Sequence, residues 1–282
     1  MATINIPASL VSPTVYHGTQ DIPADQWEAF SWHEPKVGDC THGEAAILRP
    51  EGTSGSLMAG LWRTYPTAPG AGEGGSQRFL YTSPSGDEVE CVIEGHATLT
   101  VIATGEKHRV SPGSIISSPK GLEVLWEVEG PYFKKFWCVF DGTHAKDNPP
   151  ADLLVTHINA DHSDWREFKL VGPDEQERSY GQILVLRDRG STGNLMCGLW
   201  RGGVGIPGSE AFPVGNMAMP YNAPLGDETM LLIDGAVDIV SDTGDRHSFQ
   251  PGDIVGLSAG QPISYTSRGL FNKKFWIATG DG

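Results

Sequence analysis

The chain is written twice. ILRPEGTSGSLMAGLWR begins at Ile47, and VLRDRGSTGNLMCGLWR begins at Val185, 138 positions later. DQWEAF from Asp25 is answered by SDWREF from Ser163 at the same offset. GDE at Gly86 returns at Gly226, SPG at Ser111 returns as QPG at Gln250, and KKFW at Lys134 returns at Lys273. The offset runs only from 138 to 140, so the copies differ by small loop changes. Both copies must therefore fold on one plan, and a unit of about 125 to 140 residues is an ordinary domain. The polar join DGTHAKDNPPAD, 141–152, carries Pro149-Pro150, which neither a helix nor a central strand continues through. Domains over 1–145 and 146–282 are expected.

Each unit reads as strands. SLMAGLWR, RFLYTS, EVECVIEG, ATLTVIA, SIISSP, EVLWEVEG and KKFWCVF are short apolar or alternating runs bounded by Gly, Pro, Ser or Asp. Thr104-Gly105 and Thr243-Gly244 sit at equivalent hairpin turns. Only PADQWEAF (23–30) and DHSDWREF (161–168) suggest a turn or two of helix. The 36 glycines and 20 prolines are spread along the chain, which suits many strands and turns. The expected class is all-β, a sandwich or jelly-roll barrel in each unit.

Composition excludes several functions. A formal net charge of −15 with no basic run repels nucleic-acid phosphates and anionic membranes. The opening MATINIPASLVSP lacks the basic and apolar regions of a signal peptide, and no apolar run reaches a membrane span. Cys40, Cys91, Cys138 and Cys197 have no CxxC spacing, and three lie in apolar strand-like runs. Free buried thiols and a cytoplasmic location are expected. The expected partner is a small molecule, with no nucleic acid and no membrane.

A further order of features carries a resemblance. Glu88, then CVIEG, a hairpin and PGSIISSPKG, is repeated as Glu228, LLIDG, a hairpin and PGDIVGLSAG. This resembles the cupin superfamily in both copies, hence a bicupin of two tandem (RmlC-like) jelly-roll barrels from an internal duplication. The arrangement GLWR, DE, IEG, PGS, KKFW is most similar to the cupin_3 (DUF861) group, which includes ureidoglycine aminohydrolase-like and ethanolamine-utilisation domains. The family pattern implies His-x-His, a Glu, and a later His holding a divalent metal. Glu88 and Glu228 stand seven before Gly95 and Gly235, as the pattern asks. The histidine positions fall instead on Tyr81, Ser83 and Val124, and on Tyr221, Ala223 and Ile263. None of the nine histidines forms an HxH or HxxxH pair. No metal and no cofactor is expected.

With Glu88 facing inward as the resemblance implies, strand alternation lists the rest of the pocket. Tyr81, Ser83, Glu90 and Trp126 join it in the first unit; Tyr221, Tyr265 and Met230 join Glu228 in the second. Arg63, or Lys134 or Lys135 with Lys135 as the candidate, is a cation able to pair with the carboxylate. Arg201 and Lys274, of the Lys273-Lys274 pair, are their counterparts. Glu88 is the candidate acid or base and Tyr81 its partner. Ser83, Glu90, Trp126, Arg63 and Lys135 are candidates for substrate binding. The second pocket has one carboxylate fewer and reads more as scaffold. An isomerase, lyase or hydrolase acting on a small polar substrate without the usual metal is one reading. A non-catalytic binding or structural bicupin is another, and a metal-dependent aminohydrolase-like enzyme with displaced ligands a third. The two units should pack as a pseudo-symmetric pair, and their sheet edges also allow a homodimer.

Overall fold

A computed structural model describes residues 15–171 and 175–280. The opening MATINIPASLVSP, read as lacking the features of a signal peptide, falls outside them. No α-helix occurs among the described residues, and none is long and apolar enough to cross a membrane. The first unit has two antiparallel sheets. One runs in the order Leu154–His157, Ser114–Ser118, Asp87–Glu94, Phe133–Asp141, Ser56–Thr64, Gly38–Arg49, Glu28–Glu34. The other runs Gln77–Tyr81, Val124–Val128, Ala97–Val101, Lys107–Val110. In the second unit the strands Asp227–Ser241 and Ile263–Gly280 stay continuous and carry both faces in one nine-stranded sheet. Bulges around Leu232 to Ala236 provide the bend that the broken strands provide in the first unit.

The expected helical turns are mostly strand. PADQWEAF holds a single 3-10 turn, Ala24–Gln26, and then enters the strand Glu28–Glu34; the second copy enters Arg166–Val171. A lone short helix is marginal, whereas pairing with Gly38–Arg49 satisfies the backbone and buries Trp32.

The units exchange their opening strands. Val15–Gly18 pairs with Ile254–Leu257 of the second unit, and Leu154–His157 pairs with Ser114–Ser118 of the first. Each added strand covers an edge that would otherwise present unpaired backbone groups. Between the units lies a shared core. Leu61, Val89, Phe136 and Phe140 meet Leu199, Leu231, Phe275 and Ile277. On Phe133–Asp141, Phe136 and Cys138 point into this shared core, while Trp137 and Val139 point into the barrel. Both faces are buried, which is why the stretch FWCVF after the two lysines lacks a polar alternate. Burying each such large apolar side chain contributes about 1.5–3 kcal/mol.

The most similar stretch of the repeat builds a reciprocal latch. A bulge inserts Leu48 opposite Gly60 and Ala59, and Leu186 opposite Gly198 and Cys197. A Cβ on Gly60 or Gly198 would collide with the carbonyl oxygen of Ala46 or Leu184, so only glycine permits this approach. The arginine after each bulge reaches across. Arg49 donates to the Glu228 carbonyl (2.7 Å), Thr229 Oγ1 (3.0 Å) and the Leu257 carbonyl (3.1 Å). Arg187 donates to Ser117 Oγ (3.2 Å) and the Ser117 carbonyl (3.3 Å). The aspartates of the two GDE motifs answer them. Asp227 accepts from Thr53 N (2.6 Å) and Thr53 Oγ1 (3.0 Å), and Asp87 accepts from Ser191 Oγ (2.7 Å).

Candidate functional site

Neighbours on one strand face opposite ways, and this sorts the acidic residues. Asp87 turns outward to the latch, so Glu88 and Glu90 turn into the first barrel, 3% and 2% exposed. Tyr81 Oη donates to Glu88 Oε2 at 2.7 Å, and Ser83 Oγ donates to the same oxygen at 3.2 Å. Lys135 Nζ donates to Glu90 Oε1 at 2.7 Å and to Glu88 Oε1 at 3.5 Å. The ammonium lies 4.4 Å from the Trp126 ring centroid, with Trp62 and Tyr81 farther out at 5.8 and 5.9 Å. Tyr81, Ser83, Glu88 and Lys135 thus come together around one charge cluster.

Burial and the adjoining Glu88 carboxylate push the Tyr81 phenol well above its usual range, so it stays a neutral donor. Burial also pushes the Glu90 carboxyl well up, against the pull of Lys135 and with the help of Glu88. Burial lowers Lys135, but the two carboxyls outweigh it and the net direction is up. Lys135 is therefore an ammonium. Glu90 Oε2 has no hydrogen-bond partner.

A cavity of about 510 Å³ opens beside this cluster. Glu88, Lys135 and Tyr81 line it, and its walls are Phe30, Trp32, Met58, Trp62, Phe79 and Trp137. Sequence reasoning missed Phe30, Trp32 and Phe79. Phe30 closes the run PADQWEAF, which suggests a helical turn, and Trp32 lies just past it, so their spacing of two was an unread strand signal. It also missed Glu34, fully buried, whose Oε2 accepts from Thr82 N (3.1 Å), Thr82 Oγ1 (3.2 Å) and Trp32 Nε1 (3.3 Å). Glu34 thereby fixes the backbone between Tyr81 and Ser83.

Four first-barrel ligand assignments need correction, Arg63, Trp126, Ser83 and Glu90, of which the last three are buried but do not line the cavity. Arg63 does not reach the pocket: alternation places Trp62 inside, and Arg63 pairs with Glu44 at 2.8 Å over the Trp27 ring. Lys134 also points away, donating to the Gln20 carbonyl at 2.8 Å, which leaves Lys135 as the inward lysine. Trp126 lies against the Lys135 ammonium and is not among the cavity-lining residues.

The second barrel repeats the frame with different chemistry. Tyr221 donates to Glu228 Oε1, and Lys274 Nζ sits 4.7 Å from the Tyr265 centroid. Met230 occupies the place of Glu90. Arg201, like Arg63, is turned outward, bonded to Gln182 at 2.7 Å over the Trp165 ring. Tyr221, Glu228, Tyr265 and Lys274 line none of the described cavities. Burial raises Glu228 and lowers Lys274, so each is drawn toward its neutral form. Glu228 Oε2, Tyr265 Oη and Trp276 Nε1 lack partners. Replacing buried opposite charges by neutral side chains of similar shape is often neutral or stabilising by about 1–4 kcal/mol. The double substitution Glu228→Gln with Lys274→Met is expected to unfold at the same or a higher urea midpoint. A clear drop would show that the pair is needed for the fold.

The residues around Glu88 do not fit a transition metal. The three histidine positions carry a phenol, a hydroxyl and an aliphatic side chain, and Lys135 already places a cation against the carboxylate. No group of three or more His, Cys, Asp or Glu among the described residues could hold a metal ion. Elemental analysis of the purified protein is expected to return no stoichiometric Mn, Fe, Ni or Zn. One tightly held ion per chain would overturn this.

The model of the EutQ-like cupin domain, Cupin_3, matches residues 72–137, which span Tyr81, Glu88, Glu90 and Lys135. No curated protein sequence matches the chain. A Pseudomonas syringae protein of unknown function from the DUF861 family is 18% identical, with a TM-score of 0.60 over 94% of this chain and 99% of its own. Protein Ylba from E. coli, also DUF861, is 12% identical, with a TM-score of 0.55 over 94% of this chain and 87% of its own. A mutant of Bacillus subtilis oxalate decarboxylase is 16% identical, with a TM-score of 0.51 over 97% of this chain and 79% of its own. At these identities the likeness is one of fold. Residues 72–137 match the EutQ-like cupin domain, and the doubled jelly roll gives the chain the fold of a bicupin, two tandem barrels.

Proposed function

We propose that the first barrel is a metal-independent proton-transfer site for a small carbonyl compound, working as an isomerase. The observation that carries this is the Lys135 ammonium held between Glu88 and Glu90 beside an aromatic cavity. An ammonium has three donors. Two are directed at Glu90 and Glu88, leaving one for a ligand oxygen in the cavity. A carbonyl oxygen bound there gains stabilisation as it becomes an enolate, since the charge develops against a fixed cation in a site shielded from water. Glu88 takes the proton from the adjoining carbon, and the C–H electron pair moves into the new carbon–carbon double bond. Where a carbon–carbon double bond lies one carbon further on, the enolate is a dienolate; return of the proton from Glu88 to its far (γ) carbon restores the carbonyl with the double bond moved into conjugation and completes an isomerisation. Tyr81 and Ser83, both donating to Glu88 Oε2, orient the base.

The test is hydrogen exchange. Carbonyl compounds incubated with the protein in D₂O are expected to gain deuterium next to the carbonyl, followed by NMR. Ligands that bind in the barrel yet exchange only at the buffer rate would replace this reading with a non-catalytic binding protein.

A further inference from the structure

The first cavity has a charge inventory that limits what can enter it. Its charged cluster is one ammonium, Lys135, within 3.5 Å of two carboxyl groups, Glu88 and Glu90, with the Tyr81 phenol donating to the first. All four are buried. Glu34, at the end of the strand Glu28–Glu34, is bound to Thr82 and Trp32, and His33, which also lines the cavity, pairs with exposed Asp39. Among the described residues no second inward cation stands in this cluster: Arg63 and Lys134 face away. Two carboxyls against one ammonium balance only when the pair keeps one proton. The upward push on Glu90 agrees with that balance. An entering anion would therefore leave a buried negative charge without a counter-charge, at a cost of several kcal/mol, unless a further proton comes with it.

The walls add a shape. Phe30, Trp32, Trp62, Phe79, Tyr81 and Trp137 give flat faces on several sides of the cavity. Aromatic faces take a flat, unsaturated partner in offset or edge-to-face contact. We infer that the first-barrel cavity selects a neutral, flat, unsaturated molecule bearing one carbonyl oxygen, and excludes the carboxylate of the same shape. This narrows the earlier expectation of a small polar substrate, and it rests on the reading of this cavity as a ligand site.

Acetophenone and benzoate are matched in size and differ in charge; cyclohexyl methyl ketone keeps the charge and loses the flat ring. Binding is read from quenching of tryptophan fluorescence, since Trp32, Trp62 and Trp137 line the cavity. At pH 8 acetophenone is expected to bind at least tenfold more tightly than benzoate, and at least threefold more tightly than cyclohexyl methyl ketone. Acetophenone affinity should stay level from pH 8 to pH 6, while benzoate affinity rises toward tenfold per pH unit as the carboxyl pair takes up a proton. Calorimetry in two buffers of different ionisation enthalpy should count about one proton taken up with benzoate and none with acetophenone. In the double variant Glu88→Gln with Glu90→Gln, Lys135 loses its counter-charges and benzoate should bind more tightly than acetophenone. If that variant does not fold, the wild-type pH dependence decides alone. Equal or tighter binding of benzoate at pH 8, or no saturable binding of acetophenone, would overturn the inference. Binding and exchange fail separately: selective binding of acetophenone-like ketones without exchange of any enolisable ketone removes the proposed catalysis and keeps the selectivity. Exchange confined to anionic ketones does the reverse.

Discussion

Arg49→Met is expected to destabilise the whole chain by about 3–5 kcal/mol, as loss of one partner from a buried ion pair typically does. Arg49 is 1% exposed and lies 3.3 Å from Asp227 Oδ1. Methionine keeps the apolar stem but removes the charge and every donor. Asp227 would then keep three hydrogen bonds, from Thr53 N, Thr53 Oγ1 and Ala259 N, with no cation beside a fully buried carboxylate. The Glu228 and Leu257 carbonyls would lose their arginine donor in the same step. Because Arg49 belongs to the first unit and its partners to the second, the loss should fall on both barrels at once. Urea unfolding followed by tryptophan fluorescence and by far-ultraviolet circular dichroism should shift together. A change below about 1 kcal/mol, the range of ordinary surface pairs, would show that the latch is incidental.

Glu88→Gln is expected to lower exchange at the first site by at least about a hundredfold, the lower range for losing a positioned general base. Glutamine keeps the shape and still accepts from Tyr81 through its amide oxygen, so binding of a neutral ketone should change little. The urea midpoint should also hold, since the substitution removes a charge without opening a cavity. Glu228→Gln is the matched control in the second barrel and should leave exchange unchanged. Equal losses from both substitutions would contradict the division of labour between the barrels. Full activity in Glu88→Gln would remove the base assignment.

The architecture was legible in the sequence because a duplication repeats its constraints. Apolar runs between turn residues, the glutamate seven before a glycine and the paired KKFW segments together demanded two like all-β units. The resemblance implied the inward face of Glu88, and alternation along the strand then carried Glu90 with it. Alternation did not place Arg63 or choose between Lys134 and Lys135, because the phase of those strands depends on neighbours that the sequence leaves unspecified. Arg63 found Glu44 and Trp27 across the sheet, and Lys135 found two buried carboxyls. Nor could sequence show that the most similar part of the repeat, around Arg49 and Arg187, serves the junction between barrels. Those arginines act 179 and 70 residues away in sequence, through bulges that exist only once the strands have paired. The aromatic walls were hidden for a related reason. Phe30 ends the run that suggested a helical turn and Trp32 follows it, and it is the pairing of Glu28–Glu34 with Gly38–Arg49 that makes this stretch a strand and turns both rings into the cavity. Local pattern determined the kind of fold and the acid at its centre, while long-range pairing decided which cation meets that acid and what shape of molecule can reach it.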